Sequence, residues 1–239
     1  MKTAVLITSF NRPDKTLKCI KAFFKCKKPE GHIFSIYVAD ASSDNKTINA
    51  IKSSYPKISI FNIEQNNYWS SGMNKAWKKA ISYKKYDFFI FLNDDTILYR
   101  NAINVIFEDY VFDKNSLIVG VTEADNKLTY GGRKNNLKDK ILSPNGKPQK
   151  IKYMNGNFVL IPYLAFEKLG FLNSKFSHSL GDLDYGIRAL RNNVKLYITS
   201  KIIGHCKRNE FIWYDPNLRL SWTWLPKGRS LILALLKLA

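Results

Sequence analysis

The chain has 239 residues, 45% hydrophobic and 14% aromatic, which suffices for one sizeable core and excludes a disordered polypeptide. With 38 Lys and Arg against 19 Asp and Glu, its formal charge of +19 is spread over nearly the whole length and favours polyanions: nucleotides and phosphosugars, an anionic membrane face, or nucleic acid. The three cysteines, Cys19, Cys26 and Cys206, form no C-x-x-C pair and are odd in number, which argues against a disulfide framework or zinc site and for reduced thiols in a cytoplasmic protein.

In "MKTAVLITSFNRP" the apolar run is broken at Asn11, Arg12 and Pro13, too early for a secretory segment, so it reads as a first strand (3–10) and its turn. Helical periodicity follows over 14–26, with Cys19 and Cys26 on one face. Then come a strand (32–40), a helix (45–55), a strand (57–65), a helix (71–83) and a strand (87–95). Four strands interleaved with three helices predict right-handed crossovers and a mostly parallel sheet covered on both faces, an α/β half of the nucleotide-binding kind.

Beyond residue 100 the pattern loosens. A helix is predicted over 102–112 and a strand over 116–121; residues 122–150 are polar, punctuated by Gly131-Gly132, Pro144 and Pro148. A strand (156–162), a short helix (163–171), a helix (182–193) and one or two closing strands (194–206) complete the body. No repeat or linker separates the parts, so residues 1–212 read as one domain, with 1–100 and 101–212 as halves sharing one sheet. The tail, 213–239, carries Trp222 and Trp224, then Lys227 and Arg229, then leucines; it reads equally as a last core helix or as a segment lying in a membrane interface. No uninterrupted apolar run approaches the roughly 20 residues that span a bilayer.

Ligands of open parallel sheets bind at the carboxyl ends of the strands. The polar residues there are Ser9, Asn11 and Arg12, then Asp40 and Asp44, then Asn66, then Asn93, Asp94 and Asp95, and they should converge on one rim. In "FIFLNDDTIL" a buried strand ends on two adjacent carboxylates, hard oxygen donors suited to Mg²⁺ or Mn²⁺; the alternative is an ordinary turn or a helix starting at Thr96. In "VADASSDN", Asp40 is placed to accept hydrogen bonds from a base or ribose, with Asp44 or a serine capping the next helix.

Taken in order, "TSFNRPDKTLKCI", "VADASSD", "EQNNYWSSGMNKAW", "FLNDDT", "GDLDYGIRAL" and the late His205 resemble family 2 inverting glycosyltransferases of the glycosyltransferase A fold, especially bacterial rhamnosyltransferase-like members, over about residues 3–206. The resemblance implies a Rossmann-like, mostly parallel central sheet with helices on both faces. It implies that Thr8, Phe10 and Arg12 lie beside the nucleotide, that Asp40 contacts the base, and that Gly72 and Asn74 form a turn close to the nucleotide. Asn93-Asp94-Asp95 stands where the family has D-x-D, which implies Asp94 near the ribose and Asp95 on a Mn²⁺ or Mg²⁺ ion with the diphosphate, joined by His205. The family's Glu-Asp pair is Gly181-Asp182 here, so the first acid is missing, and Asp182 takes the place of the general base.

The resemblance further implies a UDP-, dTDP- or GDP-linked sugar donor and a glycan or lipid-linked saccharide acceptor, with residues 101–212 as the acceptor half. The acceptor would lie between Asp182 and residues 122–157, with Trp69, Gly156 and Asp184 around it. Asp184 also has a local reading, as a helix cap or as an i,i+4 partner of Arg188. The basic surface fits an acceptor on an anionic lipid at the inner membrane face. A nucleic-acid-binding protein is the rival that the charge suggests, but it leaves the carboxylate rim unexplained, so no nucleic acid partner is expected. A non-catalytic sugar-binding module is a further alternative, hinted at by Gly181.

Overall fold

The computed structural model describes residues 1–176 and 180–208. Its first part is built as the periodicity predicts. Strands β1 (Lys2–Ser9), β2 (Ile33–Asp40), β3 (Ser59–Asn62) and β4 (Phe88–Leu92) run parallel in the order β3-β2-β1-β4. Helices α1 (Pro13–Lys25), α2 (Lys46–Ser54) and α3 (Trp69–Tyr83) make the crossovers. Pro13 opens α1, where its missing N–H is no loss, and Asp14 in the first turn and Lys25 in the last complement the helix dipole. Cys19 and Cys26 are both buried and unpaired, as their spacing suggested.

The remaining elements are β5 (Ile97–Leu98), α4 (Ala102–Phe112), β6 (Ser116–Ala124), β7 (Lys127–Tyr130), β8 (Gly132–Arg133), β9 (Gln149–Lys150), β10 (Tyr153–Met154), β11 (Phe158–Pro162), α5 (Tyr163–Leu169), α6 (Gly181–Arg191) and β12 (Lys195–His205). One ten-stranded sheet joins them to the first part, in the order β3-β2-β1-β4-β11-β6-β12-β5 with β7 and β9 attached. Strand β11 enters between β4 and β6 antiparallel to both, while β12 runs parallel to β6. The polar stretch 122–150 thus holds short strands, and β8 pairs with β10 in a separate ribbon.

Helices α1, α2 and α4 cover one face of the sheet and α3, α5 and α6 the other. On the latter, Trp77 of α3 lies 5.0–5.9 Å, ring centre to ring centre, from Phe89, Phe91, Phe166, Phe171 and Tyr185. Such offset and edge contacts fix the helices that carry site residues against β4. Thr96 starts no helix: its N–H closes a turn onto Asn93 O at 3.1 Å, and the chain continues into β5. Among the described residues no helix is long and apolar enough to cross a membrane. The tail at 213–239 lies outside the described residues.

Candidate active site

The turn after β4 is the best-defined part of the site. Asn93 N–H donates to Asn157 O at 2.9 Å, tying the end of β4 to the chain just before β11. Two consecutive carboxylates repel, and Arg12, in the turn before α1, answers them. Its Nη2 lies 2.8 Å from Asp94 Oδ1 and its Nη1 3.5 Å from Asp95 Oδ2. Asp94 is buried and also accepts the Thr16 hydroxyl at 3.1 Å. Burial pushes its carboxyl up to about 7, with the Arg12 guanidinium pulling the other way. Asp95 is more open, its side chain 18% exposed.

Two thiols back this turn. Cys206 donates to Asp95 Oδ1 at 3.5 Å and accepts Asn157 Nδ2–H at 3.6 Å, while Cys19 donates to Asn93 O at 3.3 Å. Burial pushes Cys206 up to about 12 and Cys19 well above its ordinary value, which favours the neutral thiol in both. Cys206 follows His205, the last residue of β12, which pairs in register with Ile97 and Glu123. The sequence singled out His205, and it is the adjacent thiol whose contact with Asp95 the structure records.

At the neighbouring strand ends, Ser9 and Asp40 face each other in register. Asp40 is wholly buried. Its Oδ1 accepts the Ser42 hydroxyl at 2.6 Å, and Ser42 Oγ in turn accepts Asn11 N–H at 2.7 Å. Asn11 adopts a left-handed backbone (φ 51°), and its Oδ1 accepts Ser43 N–H at 3.0 Å. Asp40 Oδ2 has no hydrogen-bond partner, and burial raises its pKa against the pull of Ser42. In this arrangement Asp40 shapes the loop, while Phe10, 49% exposed, and Asn11 stand at its surface. Asp44 accepts Lys46 N–H at 3.0 Å at the start of α2, the local role foreseen for it. Asn66 bonds its neighbour Asn67 rather than the rim.

A Cβ on Gly72 would collide with Thr8 Oγ1, so glycine is what lets α3 approach the end of β1. Asn74 uses both ends of its amide on the backbone of Leu172, accepting its N–H at 3.0 Å and donating to its carbonyl at 2.9 Å. Those two bonds tie α3 to the segment before α6 and leave the amide occupied, and Gly72 and Asn74 lie within α3 instead of forming the expected turn.

Trp69, the first residue of α3, links the acid turn to Asp182. Its indole N–H donates to Asn93 Oδ1 at 2.7 Å. Its ring lies on Gly156, where a Cβ would stand 2.6 Å from the ring and 2.9 Å from Asp182 Cβ. Gly156 N–H donates to Asp182 Oδ2 at 2.8 Å, and Leu183 N–H donates to Oδ1 at 2.9 Å. Protein surrounds Asp182 on most sides, yet part of its surface stays open. Burial raises its pKa, opposed by these backbone N–H groups and by the charge of Arg133 on β8. Arg133 is held by Asp139 O at 3.1 Å and Asn155 Oδ1 at 3.3 Å; sequence reasoning did not single it out.

The missing acid at Gly181 has a packing reason, since a Cβ there would collide with Ser70 Oγ of α3. The cap expected of Asp184 is absent. Helix α6 is entered through Leu180 in a left-handed conformation (φ 68°) without a side-chain cap. Asp184 is buried and pairs with Arg188 at 2.8 Å, and Arg188 also donates to Leu169 O and Phe171 O. It braces α6 against the end of α5.

Among the described residues no three His, Cys, Asp or Glu side chains gather as a metal-binding set. Asp94 is taken by Arg12, which leaves Asp95 as the one open carboxylate of the turn. One carboxylate fits an Mg²⁺ or Mn²⁺ ion that takes its other ligands from phosphate and water, and does not fit an all-protein cage.

Residues 4–170 match the family model for glycosyl transferase family 2. The chain belongs to that family. Its backbone superposes on S. aureus TarS with a TM-score of 0.65 at 13% identity, over 87% of this chain and 37% of TarS. For TarS 1-349 in complex with UDP-GlcNAc the TM-score is 0.62 at 14% identity, over 88% of this chain and 60% of that one. For GalNAc-T7 with UDP, GalNAc and Mn²⁺ it is 0.68 at 16% identity, over 88% and 44%. The chain therefore spans less than two thirds of each of those proteins, and at such identities the likeness establishes the glycosyltransferase A fold alone. No curated protein matches it by sequence.

Proposed function

We propose that this glycosyltransferase moves a hexosyl group, in the manner of the rhamnosyltransferase-like members it resembles, from a UDP-, dTDP- or GDP-linked donor to a hydroxyl of a bacterial surface-glycan or lipid-linked saccharide acceptor, inverting the anomeric carbon. The observation that carries the reading is the continuous floor from Asn93 through Trp69 and Gly156 to Asp182, with Asp94 and Asp95 following Asn93 at one end and the Asp182 carboxylate at the other. One end suits a leaving diphosphate and the other an incoming alcohol.

In this reading the open part of Asp182 faces the acceptor and takes its hydroxyl proton. Its raised proton affinity suits a base better than an ordinary surface carboxylate would. The acceptor oxygen forms its bond to the anomeric carbon as the bond to the diphosphate breaks on the opposite side, and the electron pair leaves with the phosphate. Arg12 lies where it can meet that charge, and Asp95 would hold Mn²⁺ or Mg²⁺, which when bound supplies further neutralisation of the leaving group. His205 would join Asp95 as a second ligand. Phe10, Asn11 and Thr8 would line the nucleotide, with Asp40 acting through the loop it orders. Binding of UDP and UDP-GlcNAc by TarS 1-349 and of UDP by GalNAc-T7 supports a nucleotide-sugar donor. The charge of +19 supports work at the inner face of an anionic membrane.

The test is a panel of nucleotide sugars screened for manganese-dependent thermal stabilisation, since a ligand of the native state raises its apparent stability. A donor found in this way should turn over with the wild type. Stabilisation by none of the panel, with or without metal, would sink the reading.

A further inference from the structure

The grip of Arg12 on the acid turn is unequal: 2.8 Å to buried Asp94 and 3.5 Å to the more open Asp95. The backbone of Arg12 is fixed, since its carbonyl accepts Thr16 N–H at 3.0 Å. Its side chain is 36% exposed. A divalent cation arriving alone at Asp95 would stand a few ångström from a guanidinium that Asp94 holds in place. Like charges at that range oppose one another by several times the thermal energy even at a moderate effective dielectric constant. A diphosphate changes the balance, because its oxygens attract both cations and carry enough negative charge to seat them side by side.

We infer that Arg12 is the resident counter-ion of the acid turn and makes cation binding at Asp95 depend on the donor's diphosphate. The inference rests on the donor reading above and deepens it. Metal and nucleotide enter as a pair; by linkage, each strengthens the binding of the other by the same factor. The acid turn is partly neutralised and ordered before any donor arrives, and it does not trap metal unproductively.

The experiment counts free Mn²⁺ by electron paramagnetic resonance in titrations of the full chain, with and without UDP, dTDP or GDP. Wild type is compared with R12Q, R12K and D95N. Wild type should bind Mn²⁺ weakly alone and more tightly with nucleotide. R12Q should bind Mn²⁺ alone about tenfold more tightly than wild type, with the coupling to nucleotide reduced to a similar extent. R12K keeps the charge and should stay near wild type, and D95N should lose the site. Removing the counter-ion leaves Asp94 buried and unpaired, so R12Q/D94N repeats the measurement should R12Q fail to fold. The inference is overturned if Mn²⁺ binds R12Q or R12Q/D94N no more tightly than wild type, or if R12K behaves like R12Q. If Mn²⁺ binds none of the proteins while a nucleotide still stabilises them, this inference falls and the donor reading stands. If Mn²⁺ alone follows the expected order but no nucleotide binds, the donor reading and the coupling fall, and only the counter-ion role of Arg12 survives.

Discussion

The two acidic regions of this family 2 chain are built on opposite plans. At the end of β4, two carboxylates share one guanidinium, and the deeper of them is closed off by Arg12 and Thr16. At the start of α6, Asp182 is steadied by two backbone N–H groups, its surroundings are partly open, and the charge of Arg133 pulls its proton affinity down. A turn whose charge is already partly offset is suited to hold ionic partners in place. A solitary carboxylate with raised proton affinity is suited to accept a proton. Residue type alone does not distinguish them, since all three are aspartates.

Several substitutions would break or sharpen that contrast. The largest effect should come from D182N, which keeps the shape but removes the basic oxygen: turnover should fall by about 10³-fold or more while donor binding, read by thermal shift, survives. Nearly normal turnover would remove Asp182 as the base. In wild type the acid limb of kcat/KM should lie above the ordinary carboxylate range, following the direction of the Asp182 shift.

The acid turn has its own pH signature. The Asp94 carboxyl is raised from 3.8 to about 7 in the folded chain, so within that window the native state binds more protons than the unfolded one. Its contribution to stability is therefore fully present below about 4 and lost as pH rises through about 7. Urea midpoints followed across this window should fall with rising pH more steeply in wild type than in D94N. Parallel curves would show that Arg12 fully compensates burial.

Smaller effects should appear on the floor that joins the two regions. In G156A the new Cβ meets Trp69 and Asp182 at 2.6 and 2.9 Å, which should cost about 1–3 kcal/mol in denaturant melts and displace the base. W69F should have the smallest effect on stability: it keeps a ring on Gly156 but loses the bond to Asn93, worth about 1 kcal/mol. A loss of turnover in W69F well beyond that would make the indole N–H part of the chemistry.

The first four strands and three helices were legible because each is long enough to show its period, and the ends of β1, β2 and β4 fall within a few residues of the expected positions. Strands β7 to β10 were not. Each has only two to four residues, and what makes them strands is pairing with β6, β12 or one another, partners that local composition does not reveal. Side-chain placement was legible only in part. Asp40 was correctly put at a strand end, but nothing in "VADASSD" says that Ser42 folds over it. Arg12 was assigned to the nucleotide, and its hold on Asp94 and Asp95 bridges a long stretch of chain that only the sheet brings together. For Arg133 one signal was present: it is the single arginine in a lysine-dominated stretch, and a forked cation suits fixed polar contacts better than lysine does.

The reversed direction of β11 has one more consequence. Its residues alternate between the two cores, Phe158 and Leu160 packing on one side and Val159 and Ile161 on the other. A slip of one position against β4 would send each of these side chains through to the wrong layer, where ring and branched chain do not exchange without voids or clashes. The same slip would carry Asn157 away from Asn93 and slide Gly156 out from under Trp69. Oily packing deep in the molecule thus works as an alignment pin for the polar surface above it, so a mutation far from any substrate can misplace the floor by a whole residue.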